Sequence, residues 1–520
     1  MISDLIGNVG EGRRRIYDDR EINEDTIVQI LFDALNIHRL NVTDMKYLIK
    51  YYKGKQDIQK RTAPNTSEIN NKIVVNYAHS SVRDIVGYTF GKPVQVIARK
   101  GKYRSEIKKL VDILEYENTN TVDNEVGTMA SICGIGYFCT LPSKDLDSDY
   151  MPDIPVSLNS LDVLSTFVIH STKIGNPVRL SCTYRTDKEY TYFTAYTDKE
   201  IYYIKSKGNG TLSGLASKNE IVKDVNVIGL NPIQMVQNNT FLMGDFEVAI
   251  SVLNALNQIA SDSVNDVENV IKSLLVVINA ELDESATKNV KSNRLLELLG
   301  APGQNVDAKF LYQQLDSMGI SNLRDYFEEA YKVIIGIPDR KTRGGGGGDT
   351  GDAVKLRDGW ADIEIVARVK ESYFKIAKKK QLAVAIKILQ LLNILNNEFK
   401  VIDLDVKLPR NKNDNLQTKA QSFSTLHGTK ALDPTDTLEI CDLTTDVIEV
   451  IERGKEYWEQ VAEENLALQK KTQETLSQNN GATQTQATNK SKENSGYKIT
   501  TYNNNMNKIS DKNKKKDKDF

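Results

Sequence analysis

Cysteine and histidine are both scarce in this chain of 520 residues, with four of each. Cys133, Cys139, Cys182 and Cys441 follow no metal-binding or disulfide spacing, so buried, reduced thiols in a cytosolic chain are the expectation. His38, His79, His170 and His427 lie far apart, which leaves no histidine pair for a metal or a proton relay. Charge of one sign is not in excess either: 68 basic residues face 70 acidic ones, a formal net charge of −2. A protein that wraps DNA tightly is normally basic, because phosphate contacts supply most of the affinity. Long apolar runs are also missing. The most apolar stretch, Leu382 to Leu395, is interrupted by Lys387, Gln390 and Asn393, and no stretch nears the roughly 18 residues that cross a bilayer. The first residues, Met1 to Leu5, lack the basic-then-apolar pattern of a secretory signal. No membrane partner is expected.

Signatures of catalysis are absent as well. There is no Gly-x-Ser-x-Gly elbow. A run of five glycines, Gly344 to Gly348, invites a phosphate-loop reading, but that loop ends in Gly-Lys-Ser or Gly-Lys-Thr. Here Gly351 is followed by Asp352 and Ala353, and no strand leads into the run. Asp262, Asp266 and Glu268 share one helical stretch, and Glu328 and Glu329 another, without a His or Cys partner. A polar helix face accounts for them. The expectation is no enzyme, no cofactor and no metal.

What the chain does contain is a long alternation of helix and strand patterns. With 40% hydrophobic residues it has ample core material for more than one ordinary domain. Ile27, Ile30, Leu31, Leu35 and Ile37 have helical spacing, and a second helix fits Asp44 to Tyr52. Residues 67–90 read as a helix stopped at Gly91-Lys92-Pro93, followed by a strand at 94–97 and further helix over 103–135. Residues 134–240, rich in Val, Ile, Thr and Tyr between turn signals, read as a mainly antiparallel sheet unit. Helix returns over Asp245 to Val270, with Val248, Val252, Leu253, Leu256, Ile259 and Val264 on one face and polar residues on the other. Strands at 274–278 and 308–312 bracket a mixed stretch, and a helix runs from Ser321 to Ile335. A very long helix is expected from Ala353 to about Asn397, a strand over 401–408, and helices near 416–427 and 434–478. Beyond Ser477 the chain is Asn-, Gln-, Lys-, Thr- and Ser-rich, which predicts disorder.

The glycine run sits between the helix ending at Ile335 and the very long helix, and is preceded by Arg340, Lys341 and Arg343. Glycine loses the most chain entropy on ordering, so five in a row describe a flexible tongue inserted into a helical scaffold. Thr350 or Asp352 can cap the helix that follows. Arg13, Arg14 and Arg15 form a second cationic cluster, suited either to a polyanion or to a solvated helix end.

Three stretches carry a resemblance to a known family. One is Asn76-Tyr77-Ala78 through Gly87-Tyr88-Thr89-Phe90-Gly91-Lys92-Pro93. Another runs from Asn231-Pro232-Ile233 and Asn238-Asn239 through Gly244-Asp245-Phe246-Glu247 to Ser261-Asp262 and Asn265-Asp266-Val267-Glu268. The third is the loop-to-helix transition at Asp352-Ala353-Val354-Lys355-Leu356. Together with the element order, over roughly residues 20–470, the chain resembles the portal (connector) proteins of tailed bacteriophages, of the type found in long-tailed phages of Gram-positive hosts.

That resemblance implies an α+β fold with a wing over 1–240, stem helices over 241–270 and 319–338, and a small α/β clip over 271–318. It further implies a tunnel loop over 339–352, the long helix and a returning wing strand over 353–409, a helical crown over 410–478, and a disordered tail over 479–520. It implies a homo-oligomeric ring, a dodecamer, at one capsid vertex of the virion, assembled in the host cytoplasm. Partners would be the terminase, scaffolding and major capsid proteins, neck or adaptor proteins, and double-stranded DNA passing through the channel. The DNA-facing residues would be Arg340, Lys341, Arg343 and the glycines Gly344, Gly345, Gly346, Gly347 and Gly348. Capping of the preceding helix's carboxyl end is the competing role for the three cations. Five glycines argue against a rigid, side-chain-gripping loop. Two other readings compete: a minor capsid or scaffolding protein, disfavoured by the sheet unit, and a nucleotide-driven motor subunit, disfavoured by the missing phosphate loop.

Overall fold

In a computed structural model, the described residues are 9–62, 69–99, 103–143, 155–208, 210–214, 219–271, 274–278, 307–311, 317–338, 360–410, 416–429, 432–441, 443–444 and 447–479. The chain divides into two units, one up to Ile448 and one from Glu449.

The first unit opens with a short strand β1 (Ile16–Tyr17) and a single 26-residue helix α1 (Ile27–Tyr52), where the periodicity suggested two helices. The reason is that the buried stripe continues through polar residues. His38 and Asn41 occupy it, His38 through a contact of Nε2 with Leu164 O (3.2 Å). Asn41 brackets the backbone of Arg14, accepting from its N–H and donating to its carbonyl, both at 2.9 Å. Arg13, Arg14 and Arg15 are therefore neither a polyanion patch nor a solvated helix end. Arg13 is buried against Glu247 at 2.5 Å, Arg14 pairs with Asp44 at 3.3 Å, and Arg15 donates to Gln237 at 3.1 Å.

The next helix, α2 (Tyr77–Phe90), starts later than its apolar spacing implies. Residues 69–76 are not helical, because side chains of α5 (Ile250–Ile271) accept their backbone hydrogens. Asn71 N–H donates to Asn265 Oδ1 (2.8 Å), Ile73 N–H to Ser261 Oγ (3.0 Å) and Val75 N–H to Asn257 Oδ1 (2.8 Å). Every second residue of an extended chain advances about 6.6 Å and every fourth residue of a helix about 6 Å, so the two ladders match. Asn76 then caps α2 by accepting from His79 N–H.

Strand β2 (Gln95–Ala98) leads to α3 (Arg104–Tyr116) and α4 (Thr119–Cys133). These two replace one expected helix because Asn118 adopts φ 52°, a left-handed turn that Asn tolerates better than most residues. The sheet region is mainly antiparallel, as its alternation implies, but it forms two sheets. Strands β5 (Thr166–His170), β6 (Val178–Thr186), β7 (Tyr190–Tyr196), β8 (Glu200–Lys207) and β9 (Asn219–Val225) follow in order, with β1 joining β5 in parallel. A three-stranded sheet has the order β10-β3-β4, from Ile233–Gln237, Ile135–Pro142 and Val156–Ser160. After α5, strands β11 (Leu274–Ile278) and β12 (Asp307–Leu311) pair antiparallel.

Helix α6 (Ser317–Ile335) precedes α7 (Trp360–Leu391), whose 32 residues span about 48 Å. The expected start of α7 at Ala353 lies outside the described residues, and the helix ends before Asn397, where Asn393 turns with φ 57°. Leu404–Lys407 forms β13, shorter than expected because Val401–Asp403 closes a 3-10 turn; β13 pairs with β2. Helices α8 (Leu416–Gly428) and α9 (Pro434–Ile440) close this unit's element order before α10 (Val447–Asn479), so the last expected helix is two. The disorder expected past Ser477, with a tail over 479–520, is not met up to Asn479, where α10 ends, and residues 480–520 lie outside the described residues.

Three apolar clusters make the core. The first half of α1 packs on the six-stranded sheet through Leu31, Leu35, Phe167 and Phe193. The second half joins α2, α4, β3 and the ends of α5, α6 and α7. The third holds α3, α4, β2, β13 and the middle of α7. α7 thus contributes Ile363 and Ala367 to one cluster and Phe374 and Leu382 to the next. All four cysteines are buried and free, and burial pushes the thiols of Cys133 and Cys139 up to about 12.

Burial holds His38 neutral and pushes its pKa from 6.5 down to about 4. The unfolded chain binds that proton first, so stability is complete above about pH 6.5 and is lost as pH falls towards 4. Thermal unfolding across this window should show a loss of up to about 3 kcal/mol from this group, and His38→Gln should flatten that part of the profile.

Candidate functional site

The residues singled out in the sequence, Arg340, Lys341, Arg343 and Gly344 to Gly348, lie outside the described residues. The structure defines the two points between which they run. α6 ends at Ile335, and Gly336 takes φ +71°. The N–H groups of Gly336 and Ile337 both donate to Lys332 O, at 2.9 and 3.1 Å. This is a C-terminal cap that requires the left-handed conformation and hence favours glycine. A Cβ on Gly336 would stand 3.0 Å from Val366 Cγ2 and 3.6 Å from Asp362 O. The end of α6 therefore abuts the first turns of α7. The chain leaves this point after Pro338 and returns to it at Trp360. Joining adjacent ends is inexpensive even for a long insertion, because closure entropy grows only with the logarithm of length.

Packing fixes this base. Tyr331 and Ile335 of α6 and Ile363 and Ala367 of α7 are buried against Ile85, Phe246 and Leu253. Tyr331 Oη lies 2.7 Å from Ser81 Oγ and donates to Tyr77 O at 3.3 Å. Tyr77 in turn donates its hydroxyl to Glu328 Oε1 at 2.8 Å, and burial together with that carboxylate raises the Tyr77 pKa. Glu328, expected on a polar helix face, is thus a buried acceptor.

Charged clamps then hold α7. Lys370 is 5% exposed and forms an ion pair with Asp245 at 2.8 Å. It also donates to Ser131 Oγ at 2.8 Å and to Asn238 Oδ1. Burial pushes the Lys370 ammonium below its usual value, and Asp245 opposes that shift. Two turns on, Lys378 pairs with Asp123 at 2.7 Å and donates to Thr119 Oγ1 at 2.8 Å. Burial raises the Asp123 pKa, against the pull of Lys378. On another side, Arg410 bridges Glu364 (3.3 Å) and Glu371 of α7. Tyr88 donates to Glu364 at 2.7 Å, and Lys375 pairs with Glu371 at 2.5 Å.

The acidic residues of α5 divide. Asp262 pairs with Arg61 at 2.6 Å, Glu268 accepts from Asn71 Nδ2 at 2.8 Å and so ties the 69–76 segment down, and Asp266 is exposed. The clamps on α7 escaped the sequence reading. Their signal is present nonetheless: Lys370 and Lys378 fall on the same stripe as Ile363, Ala367, Phe374 and Ala377, where a lysine has no solvent to meet. Arg410 has no such signal, since its partners lie 39 and 46 residues away.

The outward faces are apolar in places. Leu323, Tyr326 and Val333 form a stripe on α6, and Ile365, Val369 and Ile376 one on α7; Val333 is 75% exposed and Ile365 62%. Among the described residues, no group of three or more His, Cys, Asp or Glu side chains is placed to hold a metal, and no helix is long and apolar enough to cross a membrane.

Residues 32–464 match the family described as "Phage portal protein, SPP1 Gp6-like". No curated protein matches the chain. Among solved structures, similarity is found to a chain in the "Neck of empty GTA particle computed with C6 symmetry". It has 12% identity and a TM-score of 0.45, and covers 77% of this chain and 94% of that one. A chain in the "Neck of native GTA particle computed with C12 symmetry" has 11% identity and a TM-score of 0.43, and covers 85% of this chain and 99% of that one.

Lys370→Met should cost about 3–5 kcal/mol, because it leaves Asp245 buried without its cation. Adding Asp245→Asn should recover part of that loss, and a double-mutant cycle by chemical denaturation measures the coupling.

Proposed function

This chain belongs to the phage portal protein family, SPP1 Gp6-like, a structural family, and from that premise we propose that twelve copies close into a ring at one capsid vertex. The ring encloses the channel through which double-stranded DNA enters and leaves the head. It docks the terminase during packaging and neck or adaptor proteins afterwards, and it meets scaffolding and major capsid proteins in the shell. It assembles in the host cytoplasm and remains in the virion. In this reading α5 and α6 are the stem helices, residues 271–318 the clip, 339–352 the tunnel loop and 410–478 the crown. The wing comprises residues 1–240 and β13.

Exposed apolar stripes on α6 and α7 support the ring, because a neighbouring copy would cover them. A heterologous contact of this kind closes without a second protein if its rotation divides the circle. Among the described residues β11 and β12 pair with each other alone, which leaves outer edges that a neighbour's strands can satisfy.

The observation that carries the DNA-facing role is the base of the insertion. A segment containing Arg340, Lys341, Arg343 and five glycines falls in the chain between Pro338 and Trp360, and the described ends on either side, the end of α6 and the first turns of α7, abut each other. Cations on such a tongue make weak, renewable contacts with passing phosphates. A uniformly basic wall would hold the duplex, since phosphate contacts sum along its length. The near-neutral charge of the chain suits sliding.

Negative-stain imaging of the purified chain should show an annulus with a central hole; rods or monomers would refute the ring. Changing Arg340, Lys341 and Arg343 together to Gln should lower packaging and retention of DNA while rings still form. Normal packaging and retention in that variant would remove the contact role.

A further inference from the structure

The cationic run Arg13-Arg14-Arg15 has no part in the proposed channel. The fold turns it inward, onto a cavity of about 20 Å³ bounded by β1, α1, β3, β5 and β10. That volume holds one water-sized occupant. Arg13 is 4% exposed, and its ion pair with Glu247 uses Nη2 alone. Its Nε and Nη1 are buried and find no acceptor among the described residues. A buried N–H left in that state is costly, which makes a further acceptor in the cavity favourable.

Acceptors line the same cavity. His38 shares Nε2 with Leu164 O at 3.2 Å, and His170 shares Nδ1 with Asn176 O at 2.9 Å. A carbonyl only accepts, so the proton in each contact belongs to the ring. Burial lowers the pKa of both histidines, so both rings are neutral near pH 7. His38 Nδ1 and His170 Nε2 are therefore bare acceptors. Tyr137, also in the lining, adds a buried phenol that both donates and accepts.

This mixture selects the occupant. Charge alone would admit an anion: Arg13 has Glu247 and Arg14 has Asp44, but Arg15 hydrogen-bonds the neutral Gln237. An anion needs donors around it, and two bare ring nitrogens oppose it. A cation is opposed by the guanidinium. Water donates and accepts at once.

We propose that this cavity is a water site built into the fold, in which one ordered water accepts from the Arg13 guanidinium and donates to acceptors among His38, His170 and Tyr137. The water completes the seat of the N-terminal segment, which Asn41 holds through the backbone of Arg14 and Glu247 holds through the N–H of Gly10. The inference does not depend on the ring.

The test is a density map of the purified full-length chain, at a resolution that shows ordered water, in sodium chloride and again in sodium bromide. One peak should lie about 2.7–3.2 Å from Arg13 Nε or Nη1, with the same height in both salts. A peak that strengthens in bromide marks a halide and overturns the water. Absence of a peak in either salt overturns the site. In solution, exchanging chloride for gluconate at equal ionic strength should leave the thermal midpoint unmoved. A midpoint that climbs with chloride concentration at constant ionic strength overturns the assignment as well.

Discussion

Lys370 is a cation inside an apolar stripe, and the surrounding structure is arranged to make that tolerable. A buried ammonium without a partner would lose its proton or force the helix outward. Asp245, Ser131 and Asn238 converge on it from the start of the α5 region, from α4 and from the end of β10. Lys378 repeats the device with Asp123 and Thr119. Such pairs are weak contributors to net stability but strict about geometry, since a displaced partner leaves a bare charge. The position of α7 relative to α4 and β10 is set by these contacts. The position of Trp360, where the described chain resumes, is set with it.

A second constraint acts on α5. Its Asn257, Ser261 and Asn265 replace the edge of a strand and take the backbone hydrogens of an extended segment. That segment carries the chain towards α2, and Glu268 reinforces its docking through Asn71. A helix proposed to line a channel wall is thereby joined along its length to the part proposed as the wing. A movement of α5 cannot occur without breaking these bonds or carrying the segment with it. Arg410 makes a comparable link between the end of β13 and the first four turns of α7. The base of the insertion is thus held from two directions by charge and from a third by apolar packing.

These attachments also explain why the chain is rich in charge yet nearly neutral. Many of its cations and carboxylates are spent on one another inside or along the fold: Arg13 with Glu247, Lys370 with Asp245, Lys378 with Asp123, Arg61 with Asp262. They cannot contribute to a cationic surface field.

Periodicity and turn chemistry were enough to place most helices and strands, β11 and β12 among them, because each depends on local spacing. The family resemblance was legible too, from short motifs around Tyr77–Pro93 and Asn231–Glu268. Local spacing failed wherever a polar residue entered a core stripe or a distant side chain captured the backbone. His38 and Asn41 concealed the continuity of α1, and α5 kept residues 69–76 from becoming helix. The buried role of Arg13, the clamps on α7 and the meeting of Gly336 with Val366 each join residues far apart in the chain. Hydrogen bonds and ion pairs of that range have no sequence period, so only the folded arrangement of α4, α5, α6 and α7 decided them.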